Sequence, residues 1–321
     1  VHGTKAILAA IDKRVTVTST VTETRTLTGT LKINSQLGTF EIPMYDDPKQ
    51  ANFLSVECYN RCLSMIKSEF RPFVYLAGKM LDYARSSRGY PLNFDYGGLE
   101  ITIDSDIPVG VGLGSSSACC VAATTSISRL FGRKLLSERM LEMSIEAERT
   151  IFPDTSGADC TVCTYGGMIE YPSIEKIGNT FDLNLLIANS MIPHNTKNSV
   201  EKVNKFKEND EDRFSQLCNL ENGLIDEVII AMKNNDTTTL GSKMSENQKY
   251  LEEIQVSNDT LRDMINSLNE ISLGSKITGA GDGGCIIALV EDENMDKVPA
   301  LLPKDKECFS AKIDTKGVVW S

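Results

Sequence analysis

The fold turns on Pro108-Val109-Gly110-Val111-Gly112-Leu113-Gly114-Ser115-Ser116-Ser117-Ala118. An alternating strand pattern, Leu99 to Ile103, runs into it, and an apolar helical run, Ala118 to Phe131, leaves it. Glycines at alternate positions let the backbone approach a ligand. The following helix offers unpaired N–H groups and the positive end of its dipole to an anion. The loop reads as a phosphate cradle. A tight turn with a serine N-cap would need one serine and at most one glycine, fewer than stand here. The P-loop pattern Gly-x4-Gly-Lys-Ser/Thr does not occur, nor does the catalytic-loop signature of protein kinases.

Two further elements share the chain with this loop. Lys276-Ile277-Thr278-Gly279-Ala280-Gly281-Asp282-Gly283-Gly284-Cys285 precedes the apolar strand Cys285 to Val290. Alone it fits a bulged hairpin; a second glycine-rich loop beside the first favours a nucleotide site. Between them, Ser156-Gly157-Ala158-Asp159 follows a helix in which Leu141, Ile145 and Glu148 fall on one face. A carboxylate on an apolar face needs a cation, and the spacing leaves two readings of Glu148 open: Mg²⁺ beside nucleotide phosphates, or a pair with Arg149 or another basic residue. Asp159 is either a catalytic group or a turn cap.

The rest of the chain supplies a mixed fold. Strands are expected from Val15 to Ile33 as an antiparallel layer, and two amphipathic helices at 53–67 and 73–87, separated by Pro72. Ser137 is expected to cap a helix to Arg149. A turn and strand follow at Gly166 to Tyr171, and a short strand between Asp182 and Ala188. Helices at 210–234, 239–254 and 259–271 and a tail with further strands complete an α+β pattern without strict alternation.

With 321 residues, 41% hydrophobic and 24% charged, the chain is long enough for two globular domains and not of disordered composition. Its net charge of −11 argues against a large nucleic-acid footprint, and no apolar run is long enough to span a bilayer. Nine cysteines, an odd number, read most simply as reduced thiols. Cys160-x-x-Cys163 lacks the second pair that a zinc site needs. The start of the chain does not read as a signal peptide, so a cytoplasmic location is expected, with a peroxisomal one left open.

Taken together the motifs resemble the GHMP kinase superfamily. Val1-His2-Gly3-Thr4-Lys5-Ala6-Ile7 with Ala10-Ile11-Asp12 looks like the tail of the first family motif, Pro108 to Ala118 the second, and Lys276 to Cys285 the third. Ser156-Gly157-x-Asp159 before Thr164-Tyr165-Gly166-Gly167, with Pro193-His194-Asn195-Thr196 later, is most similar to the mevalonate kinase branch. The resemblance implies a ribosomal-protein-S5-like N-terminal domain over 1–180, its first strand missing, and a ferredoxin-like C-terminal domain over 181–321.

It further implies ATP-dependent phosphorylation of the primary hydroxyl of mevalonate, in isoprenoid and sterol precursor biosynthesis. Asp159 would be the catalytic aspartate, and Ser116 and Glu148 the Mg²⁺ ligands. Ser105, Gly110, Val111, Gly112, Leu113, Gly114, Ser115 and Ser116 would contact ATP, while Thr196, Gly279, Ala280 and Gly281 would border substrate or phosphate. A homodimer and feedback inhibition by prenyl diphosphates are also implied. The alternatives are another GHMP small-molecule kinase, acting on phosphomevalonate or a sugar, or a non-catalytic nucleotide sensor of the same fold.

Two departures accompany the resemblance. The family's catalytic lysine is expected upstream of Val1, outside this sequence. Asp282 stands where family members usually have glycine, and a carboxylate there repels phosphate unless it points away or meets a cation.

Overall fold

The structure, a computed structural model, describes residues 4–22, 29–44, 54–86, 98–178, 183–193 and 196–320. Val1 to Gly3 of the first motif, His194 and Asn195, and the ends expected at Phe53, Ser87 and Asp182 lie outside the described residues.

In chain order the elements begin with β1 (Ala6–Ala9), β2 (Val15–Thr22), β3 (Thr30–Ser35) and β4 (Gly38–Pro43), then α1 (Val56–Cys62) and α2 (Arg71–Ser86). After β5 (Gly98–Ser105) come α3 (Ser115–Leu130), α4 (Ser137–Glu148) and α5 (Ala158–Tyr165). Strands β6 (Met168–Tyr171), β7 (Glu175–Lys176) and β8 (Leu185–Asn189) lead to α6 (Thr196–Asn209), α7 (Glu211–Lys233), α8 (Thr237–Glu253) and α9 (Asp259–Leu268). The chain closes with β9 (Ser272–Ile277), β10 (Cys285–Val290), α10 (Val298–Leu301) and β11 (Glu307–Ala311). The α+β class is as expected. No helix of the described residues is long and apolar enough to cross a membrane.

Two compact units divide these elements. An inserted unit takes residues 14–107, 114–165 and 317–321; a bracketing unit takes 1–13, 108–113 and 166–316. The inserted unit is built on one sheet of order β2-β5-β3-β4. Strand β2 alternates half-buried and exposed residues through Val15-Thr-Val-Thr, as one solvated face demands. The layer is not wholly antiparallel: β3 runs parallel to β5. Local alternation reports which face is buried but not strand direction, so the sequence could not show this. Leu31, Ile33 and Ile101, all fully buried, form one core with Leu76, Met80 and Ile127 of the helices.

Local chemistry also moves two boundaries. Helix α2 begins at Arg71 and holds Pro72 in its first turn, where a missing N–H costs nothing, so Pro72 does not separate two helices. Helix α4 has Leu136 at its N-cap without a side-chain bond, so Ser137 is its first residue rather than its cap.

The bracketing unit carries a sheet of order β1-β6-β7 and another of order β11-β8-β10-β9, with α6 to α10. Helix α8 lies against β9 through two glycines. A Cβ on Gly274 would sit 1.8 Å from the Gly241 carbonyl oxygen, and one on Gly241 would sit 2.4 Å from that of Leu273. Because the obstacle is backbone, Gly274→Val must push helix from strand. We expect it to lower stability by about 3 kcal/mol or more, read as an unfolding midpoint in urea.

Candidate active site

The glycine-rich loop before α3 has the backbone that its glycines suggested. Gly110, Gly112 and Gly114 all take positive φ, 75°, 76° and 69°. Gly114 is itself the N-cap of α3, with no side-chain bond, so the serine-cap alternative fails. Among the described residues, no backbone N–H from Gly110 through Ser117 donates a hydrogen bond within the protein. Such a run of unpaired donors at a helix start suits a polyanion. Val111 and Leu113 anchor the loop's earlier part in an apolar cluster with Ile187, Cys285 and Ala311. Ser105 engages its own turn, donating to the Ile107 carbonyl at 3.0 Å and accepting from its N–H at 3.1 Å, so its hydroxyl shapes the approach to the loop.

In the inserted unit, α4 ends on Glu148 and α5 begins just before Asp159. Glu148 is 4% exposed. Its carboxylate accepts from the Ser117 hydroxyl and from Thr155 Oγ1 at 2.6 Å, with Cys160 Sγ at 3.7 Å. No basic side chain pairs with it among the described residues, which removes Arg149 as its partner. A buried anion at the negative end of a helix, held by two hydroxyls and a thiol and by no cation among the described residues, is a place for a cation.

Asp159 stands at the start of α5, open to solvent. Desolvation by the surrounding protein and then the charge of Glu148 push its carboxyl up to about 6. Gly114 lies directly beside it: a Cβ there would be 3.4 Å from the Asp159 carboxyl carbon. Gly157 of the Ser-Gly-x-Asp turn has φ 78°, and a Cβ would come within 2.5 Å of Ile145 Cδ1, so the glycine is what lets the turn close on α4.

The bracketing unit carries the other expected residues. The third glycine-rich loop joins antiparallel β9 and β10, with Gly279, Gly281, Asp282, Gly283 and Gly284 all at positive φ. The N–H groups of Gly279, Ala280, Gly281 and Gly283 have no acceptor among the described residues. Thr196 is the exposed first residue of α6. Asp282 meets a cation, Lys202 Nζ, at 2.6 Å.

The structure thus brings Gly114, Ser115, Ser116, Glu148 and Asp159 together in one unit. Ser116 is half-buried and its hydroxyl makes no hydrogen bond among the described residues. Sequence reasoning missed Ser117 and Thr155, which orient Glu148. A signal for Ser117 existed: it is in helical phase with Cys120, Val121 and Thr124, the buried face of α3.

Residues 75–167 match the family model "GHMP kinases N terminal domain", and 228–300 match "GHMP kinases C terminal". A mevalonate kinase of Thermococcus sibiricus is 32% identical over 229 residues, 69% of this chain and 68% of the relative. The chain belongs to the mevalonate kinases, within the GHMP kinase superfamily. The mevalonate kinase of Arabidopsis thaliana is 32% identical over 240 residues, 68% of this chain and 64% of its own length. A crystal structure of the Methanococcus jannaschii mevalonate kinase superposes with a TM-score of 0.78 at 23% identity, covering 97% of this chain and 92% of that one. That of the L. major mevalonate kinase in complex with R-mevalonate has a TM-score of 0.77 at 21% identity, covering 99% and 91%. At these identities the structures show that the mevalonate kinase fold is shared.

Proposed function

We propose that this chain transfers the γ-phosphoryl group of ATP to the primary hydroxyl of mevalonate, giving 5-phosphomevalonate. The observation that carries the reading is the pairing of a solvent-open carboxylate, Asp159, with the unpaired N–H groups that begin at the glycine turn beside it. Kinship with proteins named mevalonate kinase supports the choice of alcohol.

Phosphoryl transfer asks a protein for positioning and charge compensation rather than covalent chemistry. The donors from Gly110 to Ser117 would hold phosphate oxygens without reorganising. Asp159 would orient the attacking hydroxyl and take its proton. With its carboxyl pushed up to about 6, it is ionised at neutral pH yet a better base than an ordinary aspartate.

Glu148 and Ser116 are the residues that would hold Mg²⁺. The fit rests on the buried carboxylate of Glu148, which no basic side chain pairs among the described residues, and on the Ser116 hydroxyl, which makes no hydrogen bond among them. Among the described residues no three His, Cys, Asp or Glu side chains gather to hold a metal ion, and Mg²⁺ is commonly bound by one or two protein groups with water and substrate phosphates. Bound there, Mg²⁺ supplies neutralisation of phosphate charge.

The test is ADP release with Mg·ATP and mevalonate, phosphomevalonate, galactose and homoserine in parallel. Turnover with mevalonate alone is expected. Turnover confined to another alcohol moves the assignment within the superfamily, and nucleotide binding without turnover on any alcohol replaces it with a sensor.

A further inference from the structure

The third glycine-rich loop is held on one side by α6. Ser199 and Lys202, three residues apart and so on one helix face, reach successive loop residues: Ser199 Oγ lies 3.3 Å from the Gly281 carbonyl, and Lys202 Nζ lies 2.6 Å from Asp282 Oδ1. On the other sides the loop backbone is enclosed. The Asp282 N–H donates to the Val256 carbonyl at 2.7 Å, and the Gly284 N–H to the Ile192 carbonyl at 2.9 Å. A Cβ on Gly281 would lie 2.2 Å from the Val256 oxygen, and one on Gly283 would lie 2.8 Å from the Ile192 and Pro193 oxygens. Asp282 itself holds φ 62°, a conformation that aspartate tolerates better than most residues. Its side chain is 20% exposed against 42% for Lys202, so the carboxylate is the partner that cannot simply turn into water.

We propose that Lys202 is a positioning residue for nucleotide binding. It cancels the carboxylate that Asp282 places within an otherwise anion-seating loop and ties that loop to α6, the helix that starts at Thr196. The proposal rests on the reading of this loop as a border of the nucleotide phosphates. The four unpaired N–H groups at Gly279, Ala280, Gly281 and Gly283 favour an anion, whereas an uncancelled Asp282 among them would oppose it. Lys202 is then needed only while Asp282 is present, so the two substitutions are not additive.

Binding of a fluorescent ADP analogue with Mg²⁺ tests this without any alcohol substrate. Lys202→Met should weaken binding by about 10-fold, the scale of a uncompensated charge near the ligand. Asp282→Gly in the Lys202→Met background should restore it, and Lys202→Arg should keep near wild-type binding. Unchanged binding by Lys202→Met, or equal weakness of Lys202→Met with and without Asp282→Gly, overturns the proposal; the latter outcome is that of a structural tie only. Far-UV circular dichroism checks folding, and Lys202→Gln carries the same comparison should the methionine variant not fold. A protein that binds the analogue and turns over no mevalonate loses the substrate reading and still tests this one.

Discussion

Asp159→Asn should abolish most turnover while leaving nucleotide binding in place. Removing a positioned proton acceptor costs roughly 10²–10⁴-fold in kcat, whereas the loop N–H groups that would hold ATP are backbone and survive the change. Dissociation constants for ATP and single-turnover rates, measured on one preparation, separate the two effects. Normal turnover by the variant sinks the assignment of the base.

The same residue sets a pH dependence. With its carboxyl pushed up to about 6, kcat/KM should fall as pH drops through that value, because the protonated form cannot accept the hydroxyl proton. Stability moves with the opposite sign. Folding raises this pKa above its ordinary 3.8, so the ionised carboxylate disfavours the folded state at neutral pH and that penalty is gone below 3.8. Asp159→Asn should therefore melt higher than wild type near neutrality, with the gap closing in acid. A gap that widens in acid contradicts the environment described for Asp159.

Glu148→Gln is the second large effect. Glutamine keeps the size of the side chain, and its single carbonyl oxygen can accept from one of the Ser117 and Thr155 hydroxyls while the other turns to accept from its amide N–H, but it removes the negative charge. The Mg²⁺ concentration for half-maximal rate should rise by more than about 10-fold, the scale seen even for groups one shell removed from a metal. In the presence of a chelator the same variant should be more stable than wild type, since an uncompensated buried anion has been neutralised. A loss of activity that no Mg²⁺ concentration relieves, with stability lowered, would mean that Glu148 is a packing residue.

What could be read from the sequence was what backbone chemistry dictates. Gly110, Gly112 and Gly114, and Gly157 before Asp159, stand where positive φ or a close approach is required, and only the residue type can announce that. Burial of Glu148 followed from helical phase, and strand β10 from its unbroken apolar run. Partnerships across the chain left no trace. Ser117 and Glu148 are 31 residues apart, and Lys202 and Asp282 are 80 apart. Helix α6 was missed because it buries only Ser199 and Val203 among polar residues, too little for a periodic signal.

The order of the chain has its own consequence for biosynthesis. Strand β1 pairs with β6, Ala6 opposite Tyr171, so its partner emerges only after the whole of α3 to α5 has been made. The inserted unit can begin to collapse on the ribosome while β1 waits for β6, its partner among the described residues, for the seconds that translation takes. Ribosome-bound chains released at increasing lengths should therefore protect β5 from protease well before they protect β1.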